Sequence, residues 1–167
     1  MSRRLPVKKS STSRATHKPA GGELPSQRRL PPLLRRAWFG LNQAFRRRIS
    51  HLGLTPDQFT VLRWLVEYEK AGLTQRELSG LMASDPNTVV AIVQRIESAG
   101  WIARHAHETD RRKQRLRITP AGKRLFLAAR VHALQLQSRV LEAIPARKRD
   151  EFLELLGKVA TACTEQD

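Results

Sequence analysis

Residues 74–118 read TQRELSGLMASDPNTVVAIVQRIESAGWIARHAHETDRRKQRLRI. Thr74 followed by Glu77 is the pattern of a capping box, which opens a short helix. Asp85 followed by Pro86 predicts a second helix, because the carboxylate accepts from free amides and proline at the first position loses no useful donor. Gly100 ends this second helix. The segment therefore predicts two helices joined by a short turn.

The second helix is predicted to have one buried and one exposed face. Its apolar residues recur at helical spacing on one side, at Val89, Ile92, Val93 and Ile96. The residues expected to face outward are Asn87, Thr88, Val90, Ala91 and Gln94. An exposed helix with this polar face fits the major groove of a duplex.

Two strands are predicted to follow, at Trp101–Ala106 and Gln114–Ile118. The loop between them, residues 107–113, ends in the adjacent cations Arg111, Arg112 and Lys113. A groove-fitting helix followed by a cationic loop that reaches the neighbouring backbone or minor groove is the arrangement of a winged helix-turn-helix. The pattern therefore indicates duplex DNA as the partner.

The net charge indicates a polyanionic partner but does not show which kind of polyanion it is. The 167-residue chain carries 31 Lys and Arg against 15 Asp and Glu, a formal charge of +16. Such an excess attracts nucleic acid, but also membrane surfaces and acidic proteins. No apolar run is long enough to span a bilayer, and the basic N-terminus lacks the apolar segment of a secretory signal. One cysteine cannot form an internal disulfide, so we expect a cytoplasmic protein.

The chain is predicted to be mainly α-helical, with the small β-hairpin as a wing. Residues 1–28 are expected to form a disordered basic arm, and residues 29–167 a single domain. Within that domain the winged helix-turn-helix covers about 55–119, and flanking helices cover about 30–50 and 120–164.

The flanking helices carry more apolar side chains than a small central unit can cover. A homodimer made by these helices would bury the surplus and present two groove-fitting helices to half-sites one helical turn apart. The side chains expected on the exposed apolar surface of a monomer are Trp38, Phe45, Leu136, Val140, Phe152 and Leu156.

Four ordered segments resemble the MarR (multiple antibiotic resistance regulator) family of bacterial transcription regulators. They are LTPDQF at 54–59, TQREL at 74–78, VQRIESAGWI at 93–102, and Asp110-Arg111-Arg112 followed by LRITPAG at 116–122. The resemblance covers about Leu30 to Cys163. It implies an obligate dimer with interlocked terminal helices and the winged helices as two DNA-binding lobes.

The resemblance also implies roles for individual residues. Base contacts fall on Asn87 to Gln94, Arg112 enters the minor groove, and Asp110 holds the wing by pairing with an arginine, for which Arg95 is the candidate. Val90 and Ala91 depart from the family's usual hydrogen-bonding residues and can contact only a thymine methyl, so specificity leans on the other positions and on DNA shape. With Gln75 and Arg76, whose helix start suits phosphate contact, the candidate DNA contacts are Gln75, Arg76, Asn87, Thr88, Val90, Ala91, Gln94, Arg95, Arg111, Arg112 and Lys113.

Many members of the family bind small aromatic or phenolic anions between the dimer helices and the DNA-binding lobe. By position, the residues expected to border such a pocket are Trp38, Asn42, His51, Phe59, Arg63 and Trp64. Ordinary core packing with surface charges is the alternative for each of them. Cys163 is expected to be buried at the dimer contact.

An enzyme is not indicated, since the sequence shows no Gly-rich phosphate loop, metal-ligand cluster or activated nucleophile. His105 and His107 with Glu108 lack the fourth ligand of a structural zinc site, so neither metal nor cofactor is expected. The sequence therefore predicts a homodimeric repressor that binds a pseudo-palindromic operator and is released by a small aromatic or phenolic ligand. The alternative is a non-specific architectural nucleic-acid-binding protein.

Overall fold

The computed structural model describes residues 29–106 and 114–165. The predicted basic arm (1–28) and the wing tip (107–113) lie outside the described residues. The elements, in chain order, are α1 (Leu30–Ile49), α2 (Pro56–Glu67), α3 (Gln75–Met82), α4 (Pro86–Ser98), β1 (Ile102–Ala106), β2 (Gln114–Ile118), α5 (Pro120–Leu141) and α6 (Arg149–Thr164). Short 3₁₀ turns at Ser50–Leu52 and Ala146–Lys148 precede α2 and α6. The predicted mainly helical chain with one small hairpin is confirmed.

The described residues fall into two units, and the division lies within α1, between Ala37 and Trp38. The described part of the first unit is the beginning of α1, where Leu30, Leu33 and Leu34 are exposed. All elements from α2 onward belong to the second unit.

Local sequence signals determine where the central helices begin. The Thr55 hydroxyl accepts from the Gln58 amide at 3.3 Å, while the Thr55 amide donates to Gln58 Oε1 at 2.9 Å. Thr74 and Glu77 form the same reciprocal pair, at 3.2 and 2.7 Å. Asp85 Oδ1 accepts from the amides of the second and third residues of α4, at 2.9 and 3.2 Å. The caps predicted at Thr74 and Asp85 are confirmed, and all three caps satisfy amides that a helix start leaves without a partner.

The core is formed between α2, α3, α4 and the hairpin. The four predicted inward residues of α4 are buried, and they share a core with Leu62, Leu65, Leu78 and Leu116. Phe59 packs between two other rings, edge-on to Phe45 at 4.9 Å and stacked on Phe126 at 5.4 Å between ring centroids.

Phe45 and Leu136 were expected on the exposed apolar surface, and that prediction is wrong. Phe45 is 8% exposed and Leu136 is 5% exposed within the single chain. Phe45 points inward because its ring packs against Phe59, and Leu136 lies on the buried side of α5.

The hairpin is antiparallel, with pairs running from Ile102–Ile118 to Ala106–Gln114. Leu73 extends it by one bridge: its amide donates to the Leu116 carbonyl at 3.1 Å, and the Leu116 amide donates back at 2.7 Å. The first strand begins at Ile102 rather than Trp101, because the Trp101 amide still bonds to the Ile96 carbonyl at the end of α4.

Helix α5 begins in close contact with the base of the hairpin. Thr119 caps it by accepting from the Gly122 amide at 3.1 Å, and its hydroxyl donates to the Gly100 carbonyl at 2.8 Å. At Gly122 there is no room for a side chain: an added Cβ would overlap the Trp101 carbonyl oxygen and lie 3.0 Å from Ile118 Cγ1. This glycine lets helix and hairpin approach each other.

Candidate nucleic-acid interface

Helix α4 presents an exposed face opposite its buried one, as the sequence predicts. The side chains on this face are Asn87, Thr88, Val90, Ala91, Gln94 and Arg95, all exposed. Helix α4 has 13 residues, which gives a length of about 20 Å at the usual helical rise. A helix of this size can lie in a major groove about 12 Å wide.

Side chains supply the hydrogen-bonding groups of this face. The backbone amides of Asn87 and Thr88 are already occupied by the Asp85 carboxylate. The carboxamides of Asn87 and Gln94 have no hydrogen-bond partner in the described part of the chain. Such groups can pair in bidentate fashion with an adenine edge, whereas Val90 and Ala91 offer only apolar contact.

The first two residues of α3 differ in exposure. Arg76 is exposed and is available to a phosphate. Gln75 is half-buried: its Oε1 accepts from Arg104 Nη1 at 3.4 Å, and its Nε2 is buried without a partner among the described residues. In this conformation the Gln75 side chain faces Arg104 rather than solvent.

Arg104 also forms an ion pair that the sequence analysis missed. Its Nε lies 3.0 and 2.9 Å from the two carboxylate oxygens of Glu97, in the last turn of α4. A signal was present, since Arg104 lies two residues after buried Ile102 and therefore on the same face of β1. A cation on an inward-facing strand position calls for an acidic partner nearby.

The candidate wing residues Asp110, Arg111, Arg112 and Lys113 lie outside the described residues. Arg95, the predicted partner of Asp110, is exposed in the last turn of α4.

The six candidate ligand-pocket residues lie in different surroundings. Phe59 is in the core, Trp38 is 63% exposed, and the His51 ring is 5.3 Å from that of His132. The Arg63 guanidinium lies 4.5 Å from the centre of the Trp64 ring and 3.9 Å from Glu67. The Trp64 Nε1 is buried without a partner among the described residues.

Asn42, the sixth candidate, lines a polar cleft of about 340 Å³ between α1, the start of α2 and α4. Arg46, Asp57 and Arg95 also line it. The cleft therefore lies between α1, which is outside the helix-turn-helix, and α4. None of the other five candidates lines it.

Among residues 29–106 and 114–165, no group of three or more His, Cys, Asp or Glu side chains is placed to hold a metal ion. No helix there combines the length and apolar character needed to cross a bilayer.

Comparison with known proteins agrees with this geometry. The model of the MarR family matches residues 52–113. An HTH-type transcriptional repressor of Mycobacterium tuberculosis is 29% identical over 113 residues, which cover 68% of this chain and 80% of the relative.

Solved structures extend the likeness beyond the matched segment. CouR of Rhodococcus jostii, a transcriptional repressor solved with p-coumaroyl-CoA and with a 23-mer DNA duplex, is 26% identical. The DNA-bound form has a TM-score of 0.72 and covers 83% of this chain and 99% of CouR. BpsR of Bordetella bronchiseptica, whose DNA binding is regulated by 6-hydroxynicotinic acid, is 25% identical with a TM-score of 0.75, covering 83% of this chain and 98% of BpsR. The exposed face of α4, the hairpin beside it and these relatives agree: residues 52–113 match the MarR family, and the chain has the winged helix-turn-helix fold of MarR-type transcription regulators.

Proposed function

We propose that the protein is a homodimeric repressor that binds a pseudo-palindromic operator with α4 in the major groove of each half-site. The observation that carries the proposal is the two-sided character of α4. Its buried face fixes it on the core, while Asn87 and Gln94 project without partners in the described chain. The relatives that bind DNA or are named repressors support this function.

The dimer is supported by apolar surface that the single chain leaves uncovered. Helix α6 has 16 residues and none of them is buried, although an amphipathic helix of this length depends on packing for its stability. Helices α1 and α5 add further exposed apolar side chains. We assign the dimer contact to Trp38, Phe39, Leu41, Leu127, Val131, Leu134, Val140, Phe152, Leu155 and Leu156. Cys163, exposed in the single chain, lies on the same helix as the last three.

The wing is proposed to contact the backbone and minor groove beside each recognition helix. The described strands end at Ala106 and begin again at Gln114, which pair with each other, and residues 107–113 connect them. Three adjacent cations in such a connection suit a narrow, electronegative groove. Asp110 is proposed to pair with Arg95.

Arg112→Ala is expected to weaken operator binding by about 1–3 kcal/mol, and to lower the slope of log K against log salt by about 1, because one groove-bound cation is lost. Fluorescence anisotropy at several salt concentrations measures both quantities. Arg147→Ala removes the same charge from the exposed turn before α6 and should change neither. Unchanged binding by Arg112→Ala would remove the wing from the mechanism.

Sequence-specific repression can be separated from architectural binding by one selection. The full-length protein is used to enrich duplexes from a random-sequence pool, and its affinity for the enriched site and for random duplex is measured at one salt concentration. An enriched pseudo-palindrome bound at least about a thousandfold more tightly than random DNA supports the proposal. No enrichment, with equal affinity for both duplexes, favours the architectural alternative.

The effector is proposed to be a small aromatic or phenolic anion, by likeness to what CouR and BpsR bind. Arg63 and His51 would supply the charge for its carboxylate, and the rings of Trp38 and Trp64 a stacking face. Such a ligand regulates only if it binds the DNA-competent and DNA-incompetent forms with unequal affinity. We infer that the protein regulates by binding alone, without a catalytic step. We also infer that it acts in the cytoplasm.

Titration with hydroxylated aromatic acids is expected to weaken operator binding by about fivefold or more, the lower range of ordinary allosteric coupling. Mobility shift on the enriched duplex measures the release. Arg63→Gln should bind operator normally but respond less to the acid. If no acid in the panel changes DNA binding or the melting temperature of the free protein, the effector class is wrong.

A further inference from the structure

Arg104 lies where three elements of the DNA-binding unit meet. It belongs to β1, its Nε donates to both oxygens of Glu97 in α4, and its Nη1 reaches Oε1 of Gln75 at the start of α3. One side chain therefore connects the wing strand with both helices of the helix-turn-helix.

This contact differs from the surface ion pairs of the chain. The Arg104 and Glu97 side chains are 26% and 34% exposed, whereas those of Lys123 and Glu69 are 43% and 47% exposed. Partial burial reduces screening by solvent and salt. The planar guanidinium engages two acceptors on different helices, which fixes its direction more closely than a single flexible ammonium contact does.

Glu97 lies close in sequence to the residues of α4 that are proposed to contact DNA. Glu97 is three residues after Gln94 and two after Arg95, both on the DNA-facing side of α4. Because the wing strand is held to this turn, its position is fixed relative to the side chains that are proposed to contact the bases. Gln75 extends the same constraint to α3, because its Oε1 is directed at Arg104.

We propose that Arg104 is a positioning residue that sets the offset between wing and recognition helix, so that the protein binds its operator in preference to other DNA. Glu97 and Gln75 hold it, and it makes no contact with DNA itself. The proposal rests on the proposed function. In this proposal Arg104, Glu97 and Gln75 determine how well the protein distinguishes its operator from other duplexes. They do not contribute to the general attraction to phosphates.

The test compares full-length wild type with Arg104→Lys, Glu97→Gln and the double variant. Dissociation constants are measured for the enriched duplex and for random duplex at several salt concentrations. Each single variant is expected to lose about tenfold in affinity for the enriched duplex. The double variant should lose no more than the single variant that binds more weakly, because the two substitutions break the same contact. Affinity for random duplex and the salt slope should match those of the controls.

The controls use the Lys123–Glu69 pair, which links α5 to the segment after α2. Glu69→Gln removes the same charge as Glu97→Gln, and Lys123→Arg exchanges the same two cations as Arg104→Lys in the opposite direction. Both controls should retain the wild-type ratio of the two affinities. Melting temperatures of all variants show that each is folded at the temperature of the binding measurement.

Three results would overturn the inference. In the first, the ratio of affinity for the enriched duplex to affinity for random duplex is the same in Arg104→Lys and Glu97→Gln as in the controls. Another is an equal loss on both duplexes that follows the fall in melting temperature, which would make the contact merely structural. The third is a salt slope lowered by about 1 in Arg104→Gln, which removes the charge that Arg104→Lys keeps, and this result would indicate a direct phosphate contact. A wild type that shows no preference between duplexes would instead refute the proposed function.

Discussion

Phe152→Asp combined with Leu156→Asp is expected to convert the protein into a monomer and to weaken operator binding by at least about a hundredfold, the usual gain from joining two binding modules. The two side chains are 40% and 38% exposed in the single chain. Carboxylates there would be buried without partners in a dimer, which costs far more than the apolar contact contributes. Because α6 has no buried residue, the core of each protomer should remain intact.

Sedimentation equilibrium measures the change directly, since the chain has a mass of 19.0 kDa and a dimer twice that value. Lys158→Asp is the matched control, because it shifts the formal charge by the same two units on the same helix. Its contact with Glu154 is 68% exposed on both sides, and such pairs contribute about 0–1 kcal/mol. A double variant that stays dimeric and binds operator normally would place the dimer contact elsewhere.

Gly122→Ala is expected to lower the free energy of unfolding by about 3 kcal/mol, the upper range for overpacking. The change has the opposite sign from that of an ordinary helical glycine, where alanine stabilises by about 1 kcal/mol. The added methyl would overlap the Trp101 carbonyl oxygen, which is backbone and cannot rotate away. Either the start of α5 or the base of the hairpin must then move.

Urea denaturation at one protein concentration measures the effect, because the stability of a dimer depends on concentration. Gly80→Ala in α3 is the control: nothing lies within 4 Å of its added Cβ, so it should be neutral or stabilising. Equal stability of the two variants would mean that helix and hairpin separate without cost.

The parts of the fold that were predicted correctly depend on neighbours in sequence. Capping at Thr74 and Asp85 involves residues two or three positions apart, so the pattern is visible in the chain itself. The buried face of α4 follows from helical spacing in the same way.

The features that were missed join residues distant in sequence. Phe45 is buried because its ring packs edge-on against Phe59, which is itself stacked on Phe126. Helical spacing alone does not distinguish a core face from a dimer face. Gln75 bonds to a side chain 29 residues later. Phosphate contact by Gln75 stays a prediction, and the direction of that side chain is set by packing that helix capping does not reveal.

The bridge between Leu73 and Leu116 has a consequence for how such a regulator can change its target. It ties the hairpin to the polypeptide entering α3 through main-chain amides and carbonyls alone. Main-chain bonds tolerate nearly any residue except proline at the donor. If the wing binds DNA as proposed, substitutions within 107–113 would change the DNA that it prefers and leave this bridge intact. Exchange of residues 107–113 alone would then be enough to engineer a new binding preference.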